Sequence, residues 1–452
     1  MIHARRVRTL LRFLKDIFIL LHKDLLYKNH VGQYRLYMRG DDLLKATLDD
    51  GTYFSNPFPL FAQLREHDPV FYSEHLGGWV VTRYDDVAEI LHNHQDYSSK
   101  GRVLHLISQL DGDVRDQLPL LQMHFATGLA HSDAPEHKRL RSLLAQAFTP
   151  KISENMRPIT KSIVGDVLDQ LDSEADLIAD LFTPVPALVV GQLLGSRVED
   201  IPNLIRWAHA INGLYEKGGK IDGAKAIHAE EMLGQMREFV RERADERRSA
   251  LQRGHLDPES DVLAGLVSAE SEDGALSDSE LLSTMVTLFV AGHETTTHLL
   301  GNGLLAILHQ RSLFEEICAD PNLIPKAIDE MARFDGSVPR SWRIAKQEMR
   351  IGDITIPQGA LVLPILASAN RDEKVFDNPD RFDLQRDSRK HLAFGKGVHV
   401  CLGAPLARIE GQEIITEIVK RFPNIALNTE YEKLQWRRDF ALRGLIELPV
   451  TL

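Results

Sequence analysis

Residues 394–403 read FGKGVHVCLG, and this stretch decides which fold and which chemistry to expect. Glycines on both sides of Cys401 let a tight backbone turn wrap closely around its sulfur. Residues 404–410 (APLARIE) then read as the first turns of a helix, so the thiol is expected just before a helix N-terminus. At such a position, free N–H groups and the positive end of the helix dipole favour thiolate over thiol.

A thiolate held by backbone donors is a suitable electron-rich axial ligand for a haem iron. Residues 394–403 resemble the haem-ligand loop of the cytochrome P450 family, F-x-x-G-x-x-x-C-x-G. They also match its bacterial form, F-G-x-G-x-H-x-C-L-G, at every fixed position. The resemblance implies that Cys401 binds the metal, the haem iron, and that Phe394, Gly395 and His399 border the cofactor.

A second motif, AGHETT at residues 291–296, lies inside a long apolar helix predicted from about residue 279 to residue 309. Glycine and threonine lower helix stability in mid-helix, which in a buried helix indicates a function. The motif resembles the oxygen-binding segment A-G-x-[DE]-T-[TS] of the same family. By that resemblance, Ala291 and Gly292 border the haem and leave room for dioxygen. Thr295 is expected to supply a hydroxyl to the oxygen site, and Glu294 to relay protons from solvent.

The cysteines and histidines also allow other roles than haem binding. Cys318, the other of the two cysteines, is interpreted as a small buried hydrophobe. Zinc is disfavoured because Cys401 and His399 have no second Cys/His pair. The pattern H-E-x-x-H is incomplete, since His298 follows His293 by five residues and lies off its face. The 19 histidines leave a nucleophilic cysteine with a histidine base as an alternative.

Charged residues elsewhere match family positions that support the loop. Glu330 and Arg333 form the pattern E-x-x-R, 71 residues before Cys401. Arg381 lies in NPDRF (residues 378–382), which resembles the segment that completes a buried Glu–Arg–Arg cluster. The resemblance implies that these three residues brace the haem-ligand loop and take no part in catalysis.

A haem also carries two propionates, for which arginine is the best partner. Residues 133–141 (DAPEHKRLR) resemble the family helix whose His and Arg, one turn apart, face the propionates. That resemblance assigns His137 and Arg141 to the propionates. Arg343, in WRIA at residues 342–345, and His399 in the cysteine loop are assigned to them in the same way.

The chain has 452 residues, 43% of them hydrophobic, which is enough for one large core or a few modest domains. A net charge of −12 disfavours nucleic acid as a partner, and two cysteines fit a reducing, cytoplasmic compartment. Helical periodicity prevails, with a hairpin near residues 69–82 and a small sheet near residues 350–365. The expected fold is mainly α with a minor β-sheet region, in a P450-like domain over residues 51–452. The resemblance implies a haem buried between the long central helix and the cysteine-ligand loop.

Residues 1–50 have no counterpart in typical soluble bacterial members of the family. Residues 1–40 carry nine Lys or Arg against Asp16 and Asp24, and residues 10–26 are amphipathic at helical spacing. Charges interrupt the apolar run too early for a membrane span. Three alternatives remain: packing on the protein itself, peripheral contact with a membrane, and docking to a partner protein.

The family resemblance implies a monooxygenase with haem b that inserts one oxygen atom from O2 into a C–H or C=C bond. No G-x-G-x-x-G follows a strand, so electrons are expected from a separate ferredoxin or flavodoxin with its reductase. A long apolar segment over residues 100–130 indicates a roomy pocket for a lipid, polyketide or terpenoid, as in specialised metabolism. A carrier-protein-tethered substrate is an alternative. A peroxygenase, a non-redox haem-thiolate enzyme and a haem sensor or carrier without turnover are others.

Overall fold

A helix of 32 residues, Asp278–His309, forms the centre of the fold. The structure is a computed structural model that describes residues 26–28, 34–36, 38–148, 150–214, 220–258, 261–271 and 274–452. Ser277 caps the helix, since its hydroxyl accepts from the Glu280 N–H while the Glu280 carboxylate accepts from the Ser277 N–H at 2.9 Å. The helix is about 48 Å long. Most of its residues are buried, which confirms the predicted helix over residues 279–309.

The other α-helices surround this one, which is α14 in chain order. The helices of the described residues are α1 Gly40–Asp50, α2 Thr52–Ser55, α3 Phe58–His67, α4 Tyr84–His92, α5 Arg102–Ile107, α6 Gly112–Arg115, α7 Pro119–Thr127, α8 Glu136–Ala147, α9 Pro150–Leu168, α10 Pro184–Leu193, α11 Ile201–Asn212, α12 Gly223–Gln252, α13 Val262–Ser268, α14 Asp278–His309, α15 Arg311–Ala319, α16 Ile324–Asp335, α17 Leu366–Ala369 and α18 Ala404–Arg421. The central helix contacts α7, α10, α11, α12, α16 and α18. The main apolar core lies between these helices, and fully buried phenylalanines such as Phe182, Phe289 and Phe314 fill it.

Strands make up a smaller part of the chain, as the sequence predicts. They are β1 Leu26–Lys28, β2 Tyr34–Leu36, β3 Val70–Ser73, β4 Gly78–Val81, β5 Tyr97–Ser98, β6 Glu174–Asp176, β7 Glu270–Ser271, β8 Gly274–Ala275, β9 Arg343–Ala345, β10 Met349–Ile351, β11 Ile354–Ile356, β12 Leu361–Pro364, β13 Ala426–Leu427 and β14 Pro449–Thr451. The largest sheet has the order β3-β4-β12-β9-β5, in which only the β4–β12 pair is parallel. The hairpin predicted near residues 69–82 is the β3–β4 pair, with Tyr72 opposite Trp79.

A second apolar cluster packs beside this sheet and joins the two ends of the chain. It contains Tyr53, Phe54 and Phe61 from the N-terminal helices and Phe440 from the C-terminal segment. Leu44 of α1 belongs to it and is buried, so residues 40–50 of the predicted extension pack against the body of the protein.

The apolar segment over residues 100–130 folds as the short helices α5, α6 and α7. Several of the residues predicted to line a pocket are instead buried in the main core, among them Ile107, Leu118 and Leu121. Glu230 of α12 accepts from the first backbone N–H groups of α7, at 2.8 Å from both Leu120 and Leu121. A carboxylate at this end of a helix satisfies free donors and complements the helix dipole.

The amphipathic helix predicted over residues 10–26 lies outside the described residues, except for Leu26, which begins the short strand β1. The choice among the three alternatives for the basic arm therefore stays a prediction. In the part of the chain that the structure describes, no helix combines the length and the apolar character needed to cross a membrane.

Candidate active site

The cysteine loop is a tight turn directly before α18. The backbone N–H of Cys401 donates to the carbonyl of Phe394 at 2.8 Å, and that of Gly395 donates to Leu392 at 2.8 Å. Gly397 has φ of +74°, and a Cβ at this position would lie 2.9 Å from Cα of His92. Any side chain there would be strained by the backbone and by this contact. The helix begins at Ala404, where the sequence predicts it.

The thiol of Cys401 is reached by solvent on one side and surrounded by protein on the others. Burial raises its pKa, while the backbone N–H groups of Gly403 and Ala404 and the charges of Arg141 and Arg408 oppose that effect. The donors are those expected from the sequence, but they do not outweigh burial. A bound metal cation would supply the further stabilisation that the thiolate needs, since metal binding displaces the thiol proton.

The first brace of the loop is a buried ion cluster on α16. The Arg333 guanidinium donates to both carboxylate oxygens of Glu330, at 2.7 and 2.8 Å, and both side chains are fully buried. Arg386 supplies the second guanidinium, with Nε 3.2 Å from Glu330 Oε1. The prediction that Arg381 completes this cluster is wrong. The Asp383 N–H donates to Glu330, so the chain passes beside the carboxylate just after Arg381. Arg381 itself contributes only its backbone carbonyl, which accepts from Arg333 and Arg386.

A second brace connects α16 to the loop through Asp329, the residue before Glu330. Asp329 accepts from Arg408 Nε at 2.8 Å, and His391 Nε2 lies 3.7 Å from the same carboxylate oxygen. The Arg408 guanidinium lies 4.7 Å from the centre of the Phe394 ring. Burial acts to raise the pKa of Asp329, but His391 and Arg408 hold it below its usual value. Phe394 is therefore fixed from one side by a charged pair.

The predicted propionate partners come together beside the cysteine loop. The rings of His137 and His399 are 4.1 Å apart, and Arg141 Nη1 donates to the carbonyl of Val400 at 2.9 Å. Burial, and after it the neighbouring basic side chains with His137 first, lower the pKa of His399 to about 2. His137 Nε2 is buried without a hydrogen-bond partner. The four side chains thus form a group of basic residues around one position.

Arg102, at the start of α5, also belongs to this group and was missed in the sequence. Burial, and after it the charge of Arg102, lower the pKa of Arg343 to about 10. The acidic neighbour of the group among the described residues is Asp133, which also accepts from Ser99 N–H at 3.0 Å. The sequence offers one indication of this role, which is an arginine at the start of the apolar segment.

Arg102, Arg141 and Arg343 are like charges held close together, an arrangement that a bound anion would stabilise. Two carboxylates of a bound group would supply that negative charge and would pair with arginine in bidentate geometry. The thiol loop and the basic group therefore fit a haem with its two propionates.

The motif at residues 291–296 lies on α14 as predicted. Ala291 is exposed in a helix that is otherwise mostly buried, and Gly292 and Thr295 are partly exposed. The Thr295 hydroxyl donates to the carbonyl of Ala291 at 2.5 Å. A Cβ at Gly292 would lie 2.9 Å from a methyl group of Val190, so this glycine allows α10 to pack closely on α14. A role for Gly292 beside dioxygen stays a prediction.

Glu294 faces α11, away from the Thr295 hydroxyl. Its carboxylate accepts from Asn212 Nδ2 at 2.7 Å and lies 3.0 Å from His209 Nε2. Burial acts to raise the pKa of Glu294, but His209, Arg437 and Asn212 outweigh it and lower the pKa to about 2. Neither His209 nor Asn212 was identified from the sequence, because nothing near Glu294 in the chain indicates which helix packs against it.

Comparisons with known proteins agree with this geometry. Residues 223–435 match the family described as Cytochrome P450. The chain is 33% identical over 396 residues to cytochrome P450 107B1 of Saccharopolyspora erythraea, covering 86% of this chain and 93% of that protein. It is 32% identical over 411 residues to 6-deoxyerythronolide B hydroxylase of the same organism, covering 90% and 98%.

Solved structures give the same result. Cytochrome P450 CYP109Q5 from Chondromyces apiculatus matches with a TM-score of 0.78 and 31% identity, over 89% of this chain and 97% of that chain. P450BioI, in complex with an acyl carrier protein ligated to hexadec-9Z-enoic acid, matches with a TM-score of 0.76 and 29% identity, over 89% and 100%.

Proposed function

Because this chain belongs to the cytochrome P450 family, we propose that Cys401 is the thiolate ligand of a haem b iron. The protein is a haem-dependent monooxygenase, which inserts one oxygen atom from O2 into an organic substrate. When bound, the haem supplies the iron at which dioxygen is activated. The observation that carries the assignment of Cys401 is its position, in a glycine turn between two braces and beside a group of basic side chains.

His137, Arg141, Arg343 and His399 hold the haem propionates in this proposal, and Arg102 joins them. The support is the mutual proximity of these basic side chains, which act on one another beside the cysteine loop. Phe394 and Gly395 shape the loop around the sulfur. Ala291 and Gly292 border the haem from α14.

Glu294 and Thr295 move protons to the oxygen site. Thr295 is partly exposed and carries a hydroxyl that can both donate and accept. Glu294 is buried and charged, and its contacts lead toward α11 rather than directly to Thr295. A proton on Glu294 therefore has to pass to the hydroxyl by rotation of the carboxylate or through water.

The substrate is proposed to be mainly apolar, from lipid or specialised metabolism, and the reaction a hydroxylation or epoxidation. Partly exposed apolar residues of α14 near the oxygen-site motif, such as Leu288 and Val290, support this proposal. One relative is a hydroxylase of 6-deoxyerythronolide B by name, and one similar structure holds a fatty-acyl carrier protein. A carrier-tethered substrate is accordingly part of the proposal.

A separate electron donor is required, and we propose a ferredoxin or flavodoxin with its reductase. The monooxygenase fold accounts for most of this chain, since the alignments cover 86%, 90% and 89% of it. The expected test is turnover of an apolar substrate panel with surrogate donors.

The assignment of Cys401 is tested by the carbon monoxide difference spectrum of the reduced protein. We expect a strongly red-shifted Soret band in the wild type, and its loss in Cys401→Ala, because the thiolate donates electron density to the iron. Cys318→Ala is the matched control and should keep the band. A histidine-type band that persists in Cys401→Ala would contradict the proposal. A normal band without product from any donor would favour a haem sensor or carrier.

A further inference from the structure

Glu294 is buried, but one of the side chains beside it reaches solvent. Its side chain is 2% exposed, while that of His209, 3.0 Å away on α11, is 49% exposed. Asn212, at the end of the same helix, donates to the other carboxylate oxygen at 2.7 Å. Glu294 Oε1, which His209 Nε2 approaches, has no hydrogen-bond partner among the described residues. Of the two neighbouring groups, an imidazole can both take up and release a proton, whereas an amide cannot.

The other charged or titratable groups around Glu294 do not offer the same route. His293 and His298, also on α14, are 0% and 2% exposed, and burial lowers their pKa values to about 4 and about 3. Arg437, from the C-terminal segment, also acts on Glu294, but a guanidinium keeps its protons. Among the described groups that act on Glu294, His209 alone combines an exposed side chain with a ring that can both bind and release a proton.

We propose that His209 is the solvent-side residue through which protons reach Glu294. The inference rests on the proposed function, in which Glu294 serves the oxygen site. His209 Nδ1 takes a proton from water or a buffer acid, and Nε2 gives its own proton to Glu294 Oε1. One proton moves inward, the imidazole ends neutral, and no electron is transferred.

A purely structural role for the same contact is the competing explanation, because it ties α11 to α14. The variant His209→Gln separates the two. Glutamine keeps an N–H donor for the Glu294 carboxylate, but its amide does not take up and release protons. His209→Ala removes both the donor and the proton carrier.

The first measurement is turnover of the haem-loaded enzyme with a surrogate ferredoxin and reductase. We expect kcat to fall about tenfold in both His209→Ala and His209→Gln, below the range for a direct general acid because water can substitute in part. KM should be unchanged, and the solvent deuterium isotope effect on kcat should rise. Arg206→Ala is the control, since Arg206 is exposed on the same helix and contacts Gln235 at 3.0 Å.

The second measurement needs no turnover. Urea unfolding of His209→Ala, Glu294→Gln and the double variant should be non-additive, because the two side chains are in contact. The carbon monoxide spectrum should stay unchanged in every His209 variant, so a failure here is distinct from a failure of the proposed function. If His209→Gln kept the wild-type kcat while His209→Ala lost it, the proton route would be overturned, and the contact would serve only to hold α11 against α14. Wild-type kcat in both, or additive unfolding, would also overturn it.

Discussion

Arg386 and Arg381 show that the position of an arginine in the sequence does not decide whether it joins a buried ion cluster. Both follow the E-x-x-R helix, but only Arg386 places its guanidinium on Glu330, at 3.2 Å. Arg381 has an exposed side chain and offers a carbonyl oxygen. The two positions therefore predict opposite outcomes for the same substitution.

We expect Arg386→Gln to lower the free energy of unfolding by about 3 kcal/mol, because it removes one partner of a fully buried carboxylate. Arg381→Gln should be close to neutral, since the backbone carbonyl is kept. Urea unfolding of both variants measures the difference. Equal losses would mean that the two guanidinium groups are interchangeable.

The cysteine loop could be predicted from the sequence because its determinants are local. The glycines with positive φ, the thiol and the start of the following helix are close together in the chain, and each restricts the backbone conformation of the next. Arg386, Arg102 and His209 could not be predicted in this way. Their partners lie on other elements, and their positions depend on how those elements pack rather than on any neighbouring residue.

Helix α7 is held at its N-terminal end by another helix. Its first N–H groups donate to Glu230 of α12, at 2.8 Å from both Leu120 and Leu121. The sequence predicts an apolar segment here that borders a roomy pocket. The structure folds this segment into short helices with buried leucines, and Glu230 binds the start of one of them.

We expect Glu230→Gln to speed hydrogen exchange of the α7 amides about tenfold, since hydrogen bonds to a charged acceptor contribute about 1.5 kcal/mol or more. Glu231→Gln is the matched control, because Glu231 is exposed and its carboxylate faces Gln235 of its own helix. Hydrogen exchange followed by mass spectrometry over residues 119–127 checks the expectation. Unchanged exchange in Glu230→Gln would show that packing alone holds α7.

For the molecule as a whole, buried neutral histidines predict how stability depends on pH. Burial lowers the pKa of His298 to about 3 and those of His124 and His293 to about 4, all from an ordinary value of 6.5. Between those values and 6.5 the unfolded chain binds protons that the folded chain does not. The free energy of unfolding should therefore fall as the pH falls below 6.5.

His298→Gln should lose part of this dependence. The variant starts less stable at neutral pH, because it changes a packed side chain, and the gap to the wild type should narrow as the pH falls from about 7 to about 4. His228→Gln, at an exposed position on α12, should follow the wild-type curve. Urea unfolding at a series of pH values tests this, and a constant gap between His298→Gln and the wild type would contradict it.

The contact between Gly397 and His92 has a consequence for biosynthesis. A side chain on Gly397 would touch the backbone of His92, 305 residues earlier in the chain, so the loop around Cys401 is shaped against a helix made long before it. Such a distant contact forms only after the intervening chain has been synthesised. A growing polypeptide that has not yet reached Gly397 therefore presents no completed loop around Cys401, however long its N-terminal helices have been folded.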